Sequence, residues 1–79
     1  MRVVKEFVKD DIRISVFSWN NKYLIKFELG ALEQTFKVSE MDVLEEKDLE
    51  TFYEGLFFES VKNRFKEMGE TLRKQLENI

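Results

Sequence analysis

Pairs of turn-forming residues recur at intervals of ten along the first half of the chain. They are Asp10-Asp11, Asn20-Asn21 and Gly30-Ala31. Asparagine and aspartate tolerate the positive φ that a type I′ hairpin turn needs, and glycine suits the first position of type II′. Since a two-residue turn joins adjacent antiparallel strands, this spacing predicts a four-stranded meander over residues 1–38.

Apolar residues alternate with polar ones between these turns, as expected of strands that bury one face. Two-residue turns place Ile14 opposite Phe27 and Val16 opposite Ile25, and they place Ile25 opposite Phe36. Gln34 is the polar exception in this apolar set, opposite Phe27. A slip of one residue would destroy the pattern, so the agreement fixes the register.

The first strand, residues 3–9, fits the pattern less well. Phe7 lies opposite Ile14, but Lys5 and Lys9 share the face of Phe7. Lysines on an outer strand discourage further strand pairing. This strand is therefore predicted to lie at an edge of the sheet.

The pattern changes to helical spacing after Val38. Ser39 with Asp42 resembles a capping box and predicts a short turn or helix. Asp48 is predicted to cap one long helix whose apolar residues, at intervals of three and four, continue to Ile79. Gly55 and Gly69 fall within it, and one of them is expected to mark a site of close packing or a bend.

The fold class predicted is α+β: a four-stranded antiparallel β-meander followed by one long C-terminal α-helix packed on one face. The chain forms a single domain, 1–79, with the meander in 1–38 and a connector and the helix in 39–79. A thirty-residue helix is about 45 Å long, whereas a strand of eight residues is about 27 Å long. The helix must therefore extend beyond the sheet or fold back at Gly69.

The overhanging apolar stripe predicts a helix-mediated homodimer, because so short a chain gains from enlarging its core with a second copy. Residues 40–59 contain eight acids and one lysine, whereas residues 60–79 contain five bases and three acids. This asymmetry favours antiparallel pairing. The alternative is a helix that bends over the sheet and buries the stripe. The predicted interface residues are Val61, Phe65, Met68, Leu72, Leu76 and Ile79.

The other face of the sheet carries aromatic and basic residues together. The register puts Phe17 opposite both Val4 and Leu24, with Trp19 close by. Aromatic rings stack on unpaired bases and lysines meet phosphates in several proteins that bind single-stranded nucleic acid. The alternative is a surface covered by a protein partner, or a patch without a role. The predicted contact residues are Phe17, Trp19, Lys22, Lys26 and Lys37.

This order of elements, with an aromatic and basic open face, resembles Whirly proteins and PUR repeats. The local similarity lies in KYLIKFE, residues 22–28, for a central strand. It lies also in DLETFYEGL, residues 48–56, which resembles the helix opening of bacterial PUR-type proteins. The resemblance covers most of the chain and implies single-stranded nucleic-acid binding by the five contact residues above, with dimerisation through the helix.

Composition excludes several chemistries. The chain has no cysteine and no histidine, which removes disulfides, thiol nucleophiles and histidine bases or metal ligands. The acidic stretch from Glu40 to Glu50 lacks the spacing of a calcium loop and predicts a solvated helix start. No catalytic, cofactor-binding or metal site is predicted, so we expect a protein that is not an enzyme and has no cofactor.

No apolar run is long enough to span a bilayer, and the N-terminus does not resemble a signal peptide. We therefore expect no membrane contact and a cytoplasmic protein. The first hypothesis is a small non-catalytic homodimer that serves as an interaction or structural module. The second is a single-stranded nucleic-acid-binding protein that uses the open face of the sheet.

Overall fold

A computed structural model describes all 79 residues, Met1–Ile79. Four strands form one antiparallel sheet in the order β1-β2-β3-β4: β1 Arg2–Lys9, β2 Ile12–Trp19, β3 Lys22–Leu29 and β4 Leu32–Ser39. Two 3₁₀ helices follow, Glu40–Asp42 and Glu46–Phe52, and then the α-helix α1, Gly55–Glu77. The predicted α+β fold is confirmed.

The turns have the conformations that their residues favour. Asp10, Asp11, Asn20 and Asn21 all have positive φ, whereas in the third turn Gly30 has φ 60° and Ala31 is not in this region. The predicted pairs Ile14 with Phe27, Val16 with Ile25 and Ile25 with Phe36 are all present. The turn chemistry and the alternation together predict the register of β2, β3 and β4 correctly.

One side of the sheet, which we call the core face, packs against α1 and the second 3₁₀ helix. Phe27 lies at its centre, and its ring centroid is 6.0 Å from that of Phe36 and 6.3 Å from those of Phe57 and Phe58. The buried apolar residues of the core are Ile12, Ile14, Val16, Tyr23, Ile25, Phe27, Leu49, Tyr53, Phe58, Val61 and Phe65.

The prediction that Asp48 caps one long α-helix is wrong. The carboxylate of Asp48 accepts a hydrogen bond of 3.1 Å from the Glu45 N–H, and a 3₁₀ helix results. Gly55 has φ 62°, a left-handed conformation that separates the 3₁₀ helix from α1. The α-helix is therefore 23 residues long, about 35 Å at 1.5 Å per residue.

The helix α1 runs toward the end of the sheet that holds the first and third turns. Lys62 Nζ is 3.2 Å from Asp10 Oδ2 in the first turn. A Cβ at Gly69 would lie 3.7 Å from Leu32 Cδ1, beside the third turn. From Glu70 to Ile79 every residue is exposed, so α1 extends past the sheet and does not fold back at Gly69.

The prediction that β1 lies at an edge of the sheet is confirmed, but the pairing of β1 with β2 differs from the prediction at one residue. The register shifts between Val3 and Lys5, which is a β-bulge. Val3 therefore lies opposite Phe17, and Val4 packs against the core. The prediction that Val4 belongs beside Phe17 is wrong by this one residue.

Candidate functional site

The side of the sheet that faces away from α1, here called the open face, divides into two chemically different ends. The strand register shows which residues belong to each end, since residues directly opposite each other on paired strands share a face. One end, which we call the aromatic–basic end, is formed by Val3, Phe17, Trp19, Lys22, Leu24 and Lys37.

Trp19 is the most prominent residue of the aromatic–basic end, with 47% of its surface exposed. Lys22, opposite it on β3, places its Nζ 6.0 Å from the centroid of the indole ring. Phe17 and Leu24 form the next pair and are half-buried. An indole in this position offers a flat surface for stacking, with a positive charge beside it.

Lys22 and Lys37 form no salt bridge within the chain. They lie near one another on β3 and β4, because Lys37 is paired with Leu24 and Lys22 with Ser39. Both line a shallow hollow with Asn20, Asn21, Val38 and Ser39. These two ammonium groups are therefore free to bind an anion.

The other end of the open face is a network of ion pairs. Lys26 Nζ is 3.4 Å from both Glu28 Oε1 and Glu33 Oε1, and the charge of Glu28, with that of Glu33, raises the pKa of Lys26. Arg13 and Glu6 form a salt bridge of 2.6 Å. The structure thus brings four predicted contact residues together and leaves the fifth, Lys26, engaged by its own neighbours.

A second surface lies on the part of α1 that extends past the sheet. Phe65 is 2% exposed, Leu72 38%, Leu76 58% and Ile79 91%. Leu32, at the start of β4, and Met68 are half-buried beside them. We call the set Leu32, Met68, Leu72, Leu76 and Ile79 the α1 patch.

Two residues predicted at the dimer interface lie instead inside the core of one chain. Val61 and Phe65 are buried against the sheet, so they present no surface to a second copy. The sequence spacing could not separate them from Leu72, because buried and exposed apolar residues follow the same helical stripe. Leu32 was missed, since it reaches the patch from another element.

The α1 patch is concave on one side. Where the third turn meets α1, a hollow of about 710 Å³ is lined by Ala31, Leu32, Glu67, Met68, Thr71, Leu72 and Gln75. Leu76 and Ile79 project beyond it, at the C-terminal end of the helix. The patch therefore combines an apolar depression with projecting apolar side chains.

The acidic stretch serves local structure. Asp48 caps the second 3₁₀ helix, and Glu46 Oε1 is 2.8 Å from Arg2 Nη2 on β1. No three acidic residues come together in a group that could hold a metal ion. Besides the phenols of Tyr23 and Tyr53, the buried polar side chains of the chain are those of Ser15 and Gln34.

Searches for similar proteins give no match to a protein-family model, to a curated protein or to a solved structure. None of the helices combines the length and the apolar character that a bilayer span requires.

Proposed function

We propose that this chain is a small non-catalytic binding module that self-associates as a homodimer through the α1 patch. The observation that carries the proposal is the exposure of Leu72 and Leu76 on a helix that extends beyond its own sheet, with Ile79 exposed just after the end of the helix. Contiguous exposed apolar residues on a small protein mark an interaction surface. A second copy would also enlarge a core that one chain of this length keeps small.

The spacing of the stripe favours a second copy over an unrelated partner. Met68, Leu72 and Leu76 follow one another at intervals of four residues. This order reads the same in both directions from Leu72. Two antiparallel copies with Leu72 at the twofold axis would place Met68 against Leu76 of the partner subunit, so the surface complements itself.

Charge does not set this direction. The acidic residues that suggested antiparallel pairing lie mostly in the 3₁₀ helices, before α1 begins. Within α1 there are four acids and five bases, distributed along its length. The antiparallel arrangement therefore rests on the symmetry of the apolar spacing.

Substitution of Leu72 tests the proposal. Leu72→Asp places a charge at the centre of the pairing, and we expect it to halve the mass of the assembly measured by sedimentation equilibrium. Glu70→Ala, on the far side of the helix, is the matched control and should leave the mass unchanged. An unchanged mass in Leu72→Asp would show that α1 does not form the contact.

The aromatic–basic end of the open face supports a second candidate function, single-stranded nucleic-acid binding. Its support is the exposed indole of Trp19 beside Lys22 and Lys37, which have no acidic partner. A base would stack on Trp19 while the two lysines meet phosphates. The resemblance to Whirly and PUR proteins points to the same surface.

Fluorescence tests this second candidate directly, because Trp19 is the sole tryptophan. Labelled single-stranded DNA and RNA are titrated at two salt concentrations, and label anisotropy is read together with Trp19 emission. Saturable binding that quenches Trp19 and weakens with salt is the expected result. Absence of binding at low salt would leave the open face as a protein-contact surface.

A further inference from the structure

The two edges of the sheet are protected to different degrees. The edge strand β1 contains a bulge, and Lys9 Nζ donates a hydrogen bond of 2.9 Å to the main-chain oxygen of Tyr53. Lys5 Nζ lies 5.5 Å from the centroid of the Tyr53 ring, on the same side. Bulges and inward-pointing lysines are devices that prevent an edge strand from pairing further.

The opposite edge, β4, has no bulge, and its one lysine, Lys37, lies on the open face. Its eight residues pair with β3 without a register shift, and they include no proline. The apolar core-face residues of β4 are Leu32, Phe36 and Val38, which remain half-buried, whereas Gln34 between them is buried. An unbulged edge with partly exposed apolar residues is a template for another strand.

The turn geometry shows which main-chain groups of β4 are free. In a two-residue hairpin the residues that flank the turn, here Leu29 and Leu32, exchange both main-chain hydrogen bonds. Alternate residues then bond to β3, so the N–H and C=O groups of Glu33, Thr35 and Lys37 point away from the sheet. These three residues also place their side chains on the open face.

We propose that β4 pairs with β4 of a second copy, antiparallel and centred on Thr35, to form a continuous eight-stranded sheet. In this register Glu33 lies opposite Lys37 of the partner subunit, and Lys37 lies opposite Glu33 of the partner subunit. On the core face, Leu32 would lie opposite Val38 of the partner subunit, and Gln34 would lie opposite Phe36 of the partner subunit. The charged pairs on the open face and the apolar pair of Leu32 with Val38 are therefore self-complementary.

Pairings centred one residue to either side of Thr35 no longer place Glu33 opposite Lys37. Centring the pairing on Gln34 puts Lys37 opposite Ala31, and centring it on Phe36 puts Glu33 opposite Ser39. Neither register places opposite charges face to face. The charge pattern of β4 thus selects the register centred on Thr35 and selects a second copy as the occupant of the edge.

This contact differs from the one proposed for the α1 patch. The α1 patch lies mostly beyond the end of the sheet and shares only Leu32 with β4, which runs along the side of the sheet. Both contacts relate identical surfaces by a twofold axis, so a chain that uses both forms an assembly larger than a dimer. Each contact can be removed by substitution without touching the other.

Thr35→Pro tests the edge pairing. The N–H of Thr35 points away from β3, so a proline there removes no bond of the sheet itself, and prolines are tolerated on such edges. We expect Thr35→Pro to keep the circular dichroism spectrum and halve the mass measured by sedimentation equilibrium. Thr35→Ala keeps the N–H and is the control, with the mass of the wild type.

A charge exchange tests the register. Glu33→Lys places like charges opposite each other in two symmetric pairs, and we expect the dissociation constant to rise about tenfold. Adding Lys37→Glu restores opposite charges and should restore the wild-type constant. Glu28→Lys also removes an ion pair with Lys26 but lies on the inner strand β3, so it should leave the assembly unchanged.

The outcomes separate the two self-contacts. Wild-type mass in Thr35→Pro, or failure of Lys37→Glu to restore Glu33→Lys, overturns the β4 pairing and leaves the α1 proposal standing. A halved mass in Thr35→Pro together with an unchanged mass in Leu72→Asp supports the β4 pairing and rejects the α1 contact. The double variant Thr35→Pro, Leu72→Asp should be a monomer.

Discussion

The side-chain amide of Gln34 donates a hydrogen bond of 3.0 Å to the main-chain oxygen of Val61, which joins β4 to α1 inside the core. Gln34 is 9% exposed, and its side-chain oxygen accepts no hydrogen bond from the protein. An unpaired buried acceptor loses its interaction with water without replacement. This contact therefore fixes the position of α1 on the sheet at some cost in stability.

Gln34→Met tests this interpretation. Methionine keeps the length of the side chain and removes the unpaired acceptor, while the Val61 oxygen still lies within the hydrogen-bonding ladder of α1. We expect the free energy of unfolding in urea to change by less than about 1 kcal/mol. A decrease of more than about 2 kcal/mol would show that the amide hydrogen bond is a net stabilising contact.

The two glycines of α1 should respond to alanine in opposite directions. Gly55 has φ 62°, and Gly55→Ala should lower the free energy of unfolding by about 1–2 kcal/mol, because a Cβ strains this conformation. Gly69 lies within the helix with ordinary space for a Cβ. Gly69→Ala should therefore raise the free energy of unfolding by up to about 1 kcal/mol. Equal effects in urea unfolding would contradict the role assigned to Gly55.

Stability should depend on the ionisation of Tyr53 at alkaline pH. Burial raises the pKa of its phenol above the ordinary value of 10.0, and the charges of Glu50 and Glu54 add to the effect. Below pH 10 the phenol is protonated in both states, whereas above pH 10 it ionises more readily in the unfolded chain. The contribution of the protonated Tyr53 phenol to the free energy of unfolding is thus fully present below pH 10. It is lost as pH rises through the pKa that Tyr53 has in the folded chain.

Tyr53→Phe removes this ionisation and keeps the ring that packs against Phe7 at 4.9 Å between centroids. Urea unfolding of both chains from pH 8 to 11 provides the measurement. The difference in free energy of unfolding between them should be constant up to pH 10 and should then shift in favour of the variant. A difference that does not change with pH would contradict the assigned burial effect.

If the aromatic–basic end binds single-stranded nucleic acid, Lys22 and Lys37 should contribute to the affinity and Lys26 should contribute little. The slope of the logarithm of affinity against the logarithm of salt concentration should fall by about 0.7 for each phosphate that a lysine no longer neutralises. We expect this fall in both Lys22→Ala and Lys37→Ala. Lys26→Ala, whose charge is already paired with Glu28 and Glu33, is the matched comparison and should change the slope little. Equal slopes in all variants would place binding elsewhere.

The sequence predicts the sheet well because its turns and its alternation are local signals that agree. The positive φ of Asn20 and Asn21 and the apolar pair of Val16 with Ile25 required no knowledge of the rest of the fold. The bulge at Val4 could not be predicted in this way, since neither the turn residues nor the alternation marks it. Without the bulge, the sequence pattern places Val4 opposite Phe17, where the structure has Val3.

The start of α1 was misjudged for a physical reason. Leu49 and Phe52 are three residues apart, a spacing that buries one face in a 3₁₀ helix as well as in an α-helix. The signal for the break was Gly55, whose left-handed conformation ends one element and opens the next. In the open face, the pairing of Lys26 with Glu33 follows from the register itself and could have been foreseen.

The mass of the unmodified chain in solution tests the central claim most directly. Light scattering at tens of micromolar should give at least twice the 9.5 kDa of one chain, because the α1 patch leaves apolar residues for a second copy to cover. A mass of 9.5 kDa at that concentration would contradict self-association. The exposed end of α1 would then be the docking site for a different partner.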